Sequence, residues 1–152
     1  MNKQRFGFIV LLGLLVVSAV LQKIGALALL GVRPNPTLAL LIAAAFFLRH
    51  PFWYFGLVIL QYALLKNAPY LDWPALALAA LLLVNFWLVK ILPWQALFSL
   101  FLLTAATTMA FFAMINFSFI TRNPSLLTGE VLYNVVLGLV FYLILQKLKI
   151  EL

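Results

Sequence analysis

The stretch Thr37–Leu65, TLALLIAAAFFLRHPFWYFGLVILQYALL, decides how this chain is built. Two uncharged apolar runs, Thr37–Leu48 and Phe52–Leu65, flank Arg49-His50-Pro51. Read as two helices, they rise only about 18 and 21 Å, against a hydrocarbon core of about 30 Å. Read as one kinked span, they strand Arg49 and His50 near mid-membrane, where a charge costs about 2.5–3.5 kcal/mol or more. The first reading gives six membrane spans and the second gives five.

Moving outward, the same pattern of apolar run and basic, proline-bearing break repeats along the chain. The runs are Phe6–Leu30, Thr37–Leu48, Phe52–Leu65, Pro74–Val89, Trp94–Phe117 and Gly129–Gln146. The breaks are Arg33-Pro34-Asn35-Pro36, Arg49-His50-Pro51, Lys66-Asn67-Ala68-Pro69, Lys90-Ile91-Leu92-Pro93 and Arg122-Asn123-Pro124-Ser125. Proline lacks an N–H and suits the start of a helix better than its interior. Of 152 residues, 67% are hydrophobic, and nearly every charge sits in a break. A soluble domain would charge the outer face of each helix, because that face meets water. Here it meets lipid. The expected fold is therefore one all-α domain, residues 1–152, a compact bundle of transmembrane helices.

The basic residues choose between six spans and five. With six, one side carries Lys3, Arg5, Arg49, Lys90, Lys147 and Lys149, and the other Lys23, Arg33, Lys66 and Arg122. With five, the split is nearly even and Arg49 is stranded. The positive-inside rule favours six spans with both termini cytoplasmic. Lys3 and Arg5 before an apolar run imitate a signal peptide, but no clear cleavage site precedes a soluble domain, so the run reads as a retained first span.

The net charge of +7 is scattered singly, without the basic face that nucleic-acid binding needs. No cysteine is present, which excludes disulfides and thiolate chemistry. One histidine, His50, and three acids, Asp72, Glu130 and Glu151, leave little for catalysis or a metal. Asp72 and Glu130 fall on one side of the membrane in the six-span arrangement, and a carboxylate pair can do acid–base work. Nothing beside them supplies a nucleophile or a phosphate clamp. The expectation is a protein without enzymatic activity, cofactor or metal.

Two motifs stand out as a binding site. Glu130 follows Thr128-Gly129 at the expected start of the last helix, where the helix dipole favours a carboxylate. Asn134 and Gly138 continue on its face at spacings of four, making a polar notch for a partner or ligand. Arg33-Pro34-Asn35-Pro36 forms a stiff first loop on the same side, so Arg33 can pair with Glu130. The candidate site is thus Arg33, Pro34, Asn35, Glu130, Asn134 and Gly138. Trp53, Tyr54, Trp73, Trp87 and Trp94 lie near expected helix ends, as in interfacial aromatic belts.

The sequence Gly31-Val32-Arg33-Pro34-Asn35-Pro36-Thr37-Leu38 after the first span and Glu130-Val131-Leu132-Tyr133-Asn134 in the last resemble one family. That is the rod shape-determining protein MreD family, membrane subunits of the bacterial cell-wall elongation machinery. The third span departs from it, offering one glycine and Gln61 where the family has spaced glycines and an aspartate. The resemblance implies a non-catalytic scaffold in the bacterial inner membrane, binding the single-span protein MreC and other cell-wall synthesis proteins. It implies a fold similar to the substrate-binding subunits of energy-coupling-factor vitamin transporters, and such a transporter subunit is the alternative function.

Overall fold

The computed structural model of the chain describes residues 3–66 and 71–148. Among these residues seven helices follow one another: α1 Lys3–Lys23, α2 Pro36–Ala45, α3 Pro51–Leu65, α4 Trp73–Ile91, α5 Ala96–Ile115, α6 Phe117–Arg122 and α7 Pro124–Lys147. A proline stands in the first two positions of α2, α3, α4 and α7, where its missing N–H leaves no bond unmade. Among the described residues α1, α4, α5 and α7 contain the stretches long and apolar enough to cross a membrane. Their outward faces carry exposed Val, Leu, Ile and Phe. By length and composition this is a helical multi-pass membrane protein.

The centre of the bundle is α2. All ten of its residues are buried. It packs against α1, α3, α4, α5 and α7, which surround it in the order α7, α5, α4, α3, α1. Among the described residues no Cα of α1 lies within 8 Å of one in α7, so the ring does not close through backbone contact. The run Ala43-Ala44-Ala45 suits this central place, since small side chains let helices approach closely.

Cross-helix pairs fix the directions. Phe8 packs on Trp53, with ring centroids 4.7 Å apart, and Lys23 Nζ reaches the Lys66 carbonyl at 3.5 Å, so α1 and α3 run parallel. Lys90 Nζ donates to the carbonyls of Ala45 and Leu48 at 3.2 and 2.8 Å, joining the ends of α4 and α2. Phe46 and Phe47 meet Tyr142 near the end of α7. Hence α1, α3 and α5 run one way, and α2, α4 and α7 the other. The start of α1 and the end of α7 lie together at what we term the Lys90 end; the opposite end holds Glu130.

The stretch Thr37–Leu65 is two helices. Phe46 and Phe47 close a tightening turn on the carbonyls of Ala43 and Ala44, and α3 starts afresh at Pro51. At 10 and 15 residues, α2 and α3 are shorter than the other helices of the ring. Three boundaries differ from the sequence reading. The run Phe6–Leu30 is helical only to Lys23, because Gly25, Leu30 and Gly31 adopt positive φ, which a helix cannot continue. The run Trp94–Phe117 ends at Ile115, where the Asn116 side chain accepts the Phe119 N–H and starts the separate short helix α6. The last helix begins at Pro124 and not at Gly129.

The aromatic belt also needs one correction. Trp53, Trp73, Trp87 and Trp94 are exposed, as belt residues are. Tyr54 is buried instead, with its hydroxyl donating to the Leu82 carbonyl at 3.1 Å and its ring stacked on Phe86. It is a core residue joining α3 to α4.

Candidate functional site at the Glu130 end

The connection between α1 and α2 builds the site. Leu29 and Val32 exchange backbone hydrogen bonds of 3.0 and 2.9 Å around Leu30 and Gly31. Both central residues have positive φ, the pattern of a type I′ turn. Glycine adopts this freely, whereas leucine is strained there. Leu30 is held at the tip of the hairpin, 91% exposed. Val32 returns the chain to α7 directly over Gly129, where an added Cβ would come within 2.8 Å of its Cγ2.

From there the two motifs singled out in the sequence meet, 97 residues apart. The Arg33 N–H donates to Glu130 Oε1 at 2.7 Å, and the Asn35 N–H donates to Asn134 Oδ1 at 2.6 Å. Arg33 and Glu130 are brought together, but through the backbone amide of Arg33. The dipole reading of Glu130 does not hold. It is the seventh residue of α7, and the dipole effect fades within the first turn. What stabilises the carboxylate is the loop N–H, together with the nearby positive charge of Arg33.

Asn134 extends the network inward. Its Nδ2 donates to Thr108 Oγ1 at 3.1 Å, and the Thr108 hydroxyl donates to the Thr104 carbonyl at 2.8 Å. The Asn35 amide can only donate, so the orientation of the Asn134 side chain follows from the bonding. Asn35 also caps α2, its Oδ1 accepting the Leu38 N–H at 3.0 Å. The Thr37 hydroxyl lies 3.0 Å from both Asn35 Oδ1 and Gln22 Oε1 and can donate to one at a time, tying the end of α1 to the start of α2.

Gly138 stands apart from this network. It is buried against α5, with Thr104 Oγ1 3.4 Å and Leu100 Cδ1 3.9 Å from where its Cβ would be. The gap is taken by a helix of the same chain. Gly138 therefore serves α5–α7 packing and is not open to a partner's backbone. Asn134, 1% exposed, and Glu130, 5% exposed, likewise face inward.

Between the hairpin and the helix ends lies a cavity of about 450 Å³. Its walls include Gln22, Lys23, Arg33, Asn35, Thr108, Phe111, Phe112, Glu130 and Asn134. A second space of about 260 Å³, bordered by Leu65, Asp72 and Leu78, shares Gln22, Lys23, Asn35 and Phe111 with it. The cavity has a geometric cause. The central helix α2 is about 15 Å long, whereas α4, α5 and α7 are about 28 to 36 Å, and α2 is held at the Lys90 end by the Lys90 ammonium. Space is left above its first residue. Glu130 and Asp72 border different spaces, and Asp72 caps α4 by accepting the Ala75 N–H at 3.3 Å.

The sequence reading named Arg33, Pro34, Asn35, Glu130 and Asn134, all of which border the cavity. It did not assign Gln22, Lys23, Thr108 or Phe111 to the site, reading Lys23 as a topology signal and Thr108 as inter-helix glue. Gln22 carried a signal, as a lone amide beside Lys23 near the end of an apolar run, and so did Thr108, as one of three threonines in the run Trp94–Phe117; Phe111 did not. Comparison of the chain with known protein families, characterised proteins and solved structures finds no match.

Proposed function

We propose that the chain is a non-catalytic scaffold subunit of a bacterial cell-wall elongation complex, similar to the MreD family. One observation supports this reading above the others. The two short motifs that carry the resemblance, around Arg33-Pro34-Asn35 and Glu130–Asn134, are hydrogen-bonded to each other. Polar groups in apolar segments tend to pair in any case; what favours this reading is that the pairing joins both motifs of the resemblance, residue for residue, at Arg33–Glu130 and Asn35–Asn134. The polar atoms that meet there bind one another, which suits a part that holds a loop in a fixed shape more than one that performs chemistry.

On this reading all six of the longer helices pass through the bacterial inner membrane, α2 and α3 as short spans, with both ends of the chain in the cytoplasm. The even alternation of helix direction and the basic residues at the Lys90 end favour that orientation. The partner is a single-span wall-synthesis protein of the MreC kind. A second reading, a substrate-binding subunit of a vitamin transporter, has the cavity in its favour. Its weakness is that Asn35, Glu130 and Asn134 already bond within the chain.

Purification from its own host in mild detergent separates the two. The scaffold should bring down a single-span wall-synthesis protein in near-stoichiometric amount. Retention of a vitamin-sized molecule without such a protein would reject the scaffold in favour of the transporter subunit.

A further inference from the structure

The cavity above α2 has a chemical character of its own, independent of the scaffold reading. Leu21, Ile24, Leu38, Phe111 and Phe112 give it an apolar wall. Lys23 and Arg33 are the cations on its border, and both are exposed. Among the described lining residues Glu130 is the one acid, and its Oε1 already accepts the Arg33 amide. The lining therefore offers two positive groups against one carboxylate that is already hydrogen-bonded. The volume falls within the range of about 300–1,000 Å³ usual for small-molecule sites.

We propose that this cavity binds an acidic amphiphile, with its acid group at Lys23 and Arg33 and its apolar body against Phe111 and Phe112. A neutral hydrophilic ligand would have to compete with bonds made inside the chain, since Asn134 uses both its Oδ1 and its Nδ2 there, and Asn35 Oδ1 and Glu130 Oε1 already accept. A purely apolar ligand would leave the two cations unused. The same chemistry is available from an anionic membrane lipid and from a single-chain acid reaching the site from water.

The connection between α1 and α2 borders the cavity at Gly25, Leu27, Ala28 and Arg33. The attachment of this connection to α7 rests on Val32 seated on Gly129 and on the Arg33 amide at Glu130. Those contacts fix Arg33 at the border of the cavity.

The test is calorimetric titration of the purified full-length protein in an uncharged maltoside detergent. Dodecyl phosphate is compared with dodecanol, which lacks the acid, and with glycerol phosphate, which lacks the apolar body. Dodecyl phosphate should bind tightest. The variant Lys23→Gln with Arg33→Gln should bind it about tenfold more weakly, the scale of losing charge-assisted bonds at a partly exposed site. The Arg33 backbone amide still bonds Glu130 in this variant, so the fold is kept; losing the Arg33 charge and the Lys23–Lys66 bond lowers the thermal midpoint, and binding is compared well below it. Equal micelle concentrations cancel partitioning between the two proteins.

Phosphatidylglycerol in nanodiscs separates the sources. Displacement of dodecyl phosphate by this lipid assigns the site to the bilayer, and no displacement assigns it to a single-chain acid; either result keeps the acidic amphiphile. Dodecanol or glycerol phosphate binding as tightly as dodecyl phosphate overturns the proposal. So does a double variant that binds dodecyl phosphate as well as the wild type.

Discussion

At the scale of single residues, the connection between the first loop and α7 depends on a few atoms. Glu130 acts as an acceptor for the Arg33 amide. Glu130→Gln retains an oxygen at that place and should keep most of the stability. Glu130→Ala removes it and should cost about 1.5–3 kcal/mol, the scale of a hydrogen bond to a charged group. Thermal unfolding of both variants in detergent checks this. If Gln is as damaging as Ala, the charge matters and the hydrogen bond does not. Gly129 is the other contact point. Gly129→Ala would drive its Cβ into Val32 and should destabilise by about 1–3 kcal/mol through overpacking. Adding Val32→Ala should recover most of that loss, as coupled neighbours do. No recovery in the double variant would mean that the close approach is tolerated by local movement and carries little energy. Glu130 and Arg33 were legible in the sequence as partners on one side of the membrane. That the bond uses the Arg33 amide was not, because backbone geometry in a loop depends on how its turn closes.

At the scale of elements, α2 is the helix on which the others are assembled. Inside a bilayer, burial yields little hydrophobic driving force, and stability comes from packing. Leu41 in α2 is 0% exposed, whereas Val84 in α4 is 55% exposed toward the surroundings. Leu41→Ala should therefore cost about 2–5 kcal/mol, and Val84→Ala within about 0.5 kcal/mol of nothing. Similar losses at both positions, read from folded yield on size exclusion, would contradict a central α2. Gly138 makes the same point for α5 and α7. Gly138→Leu should lower folded yield even without any partner, because Thr104 and Leu100 already border that space. A well-folded Gly138→Leu protein would return Gly138 to the outer face. The sequence separated α2 from α3 through Arg49-His50-Pro51, but it gave no sign that α2 is the buried one. The alanines of α2 are matched in number by those of the more exposed α4, so composition could not rank the segments by depth.

At the scale of the whole molecule, alternation of helix direction is the property most open to test. The chain has no cysteine, so single substitutions report cleanly. Leu30→Cys sits on the exposed hairpin tip at the Glu130 end, and Gln95→Cys on an exposed turn at the Lys90 end. In intact cells an impermeant thiol reagent should label the first and spare the second. Labelling of both, or of Gln95→Cys alone, would reverse or abolish the proposed orientation. Asn2→Cys and Glu151→Cys should both be protected, which an odd number of spans cannot give.

The sequence alone determined that the chain is helical, belongs to a membrane and turns at its basic, proline-bearing breaks. Those features depend on local chemistry: proline has no N–H, and charge is costly in hydrocarbon. It also singled out Arg33, Asn35, Glu130 and Asn134, because polar groups in apolar segments are conspicuous one at a time. Only the tertiary structure decided that α2 stands inside a ring of longer helices and that its shortness leaves a cavity above it. Only the structure moved Tyr54 and Gly138 inward and showed Glu130 held by a loop amide in place of a helix dipole. These outcomes depend on which faces meet across 26 to 99 residues of chain. A repeating apolar pattern encodes little of that choice, since apart from a few polar groups such as Asn85, Thr108 and Asn134 the helices are apolar on every side.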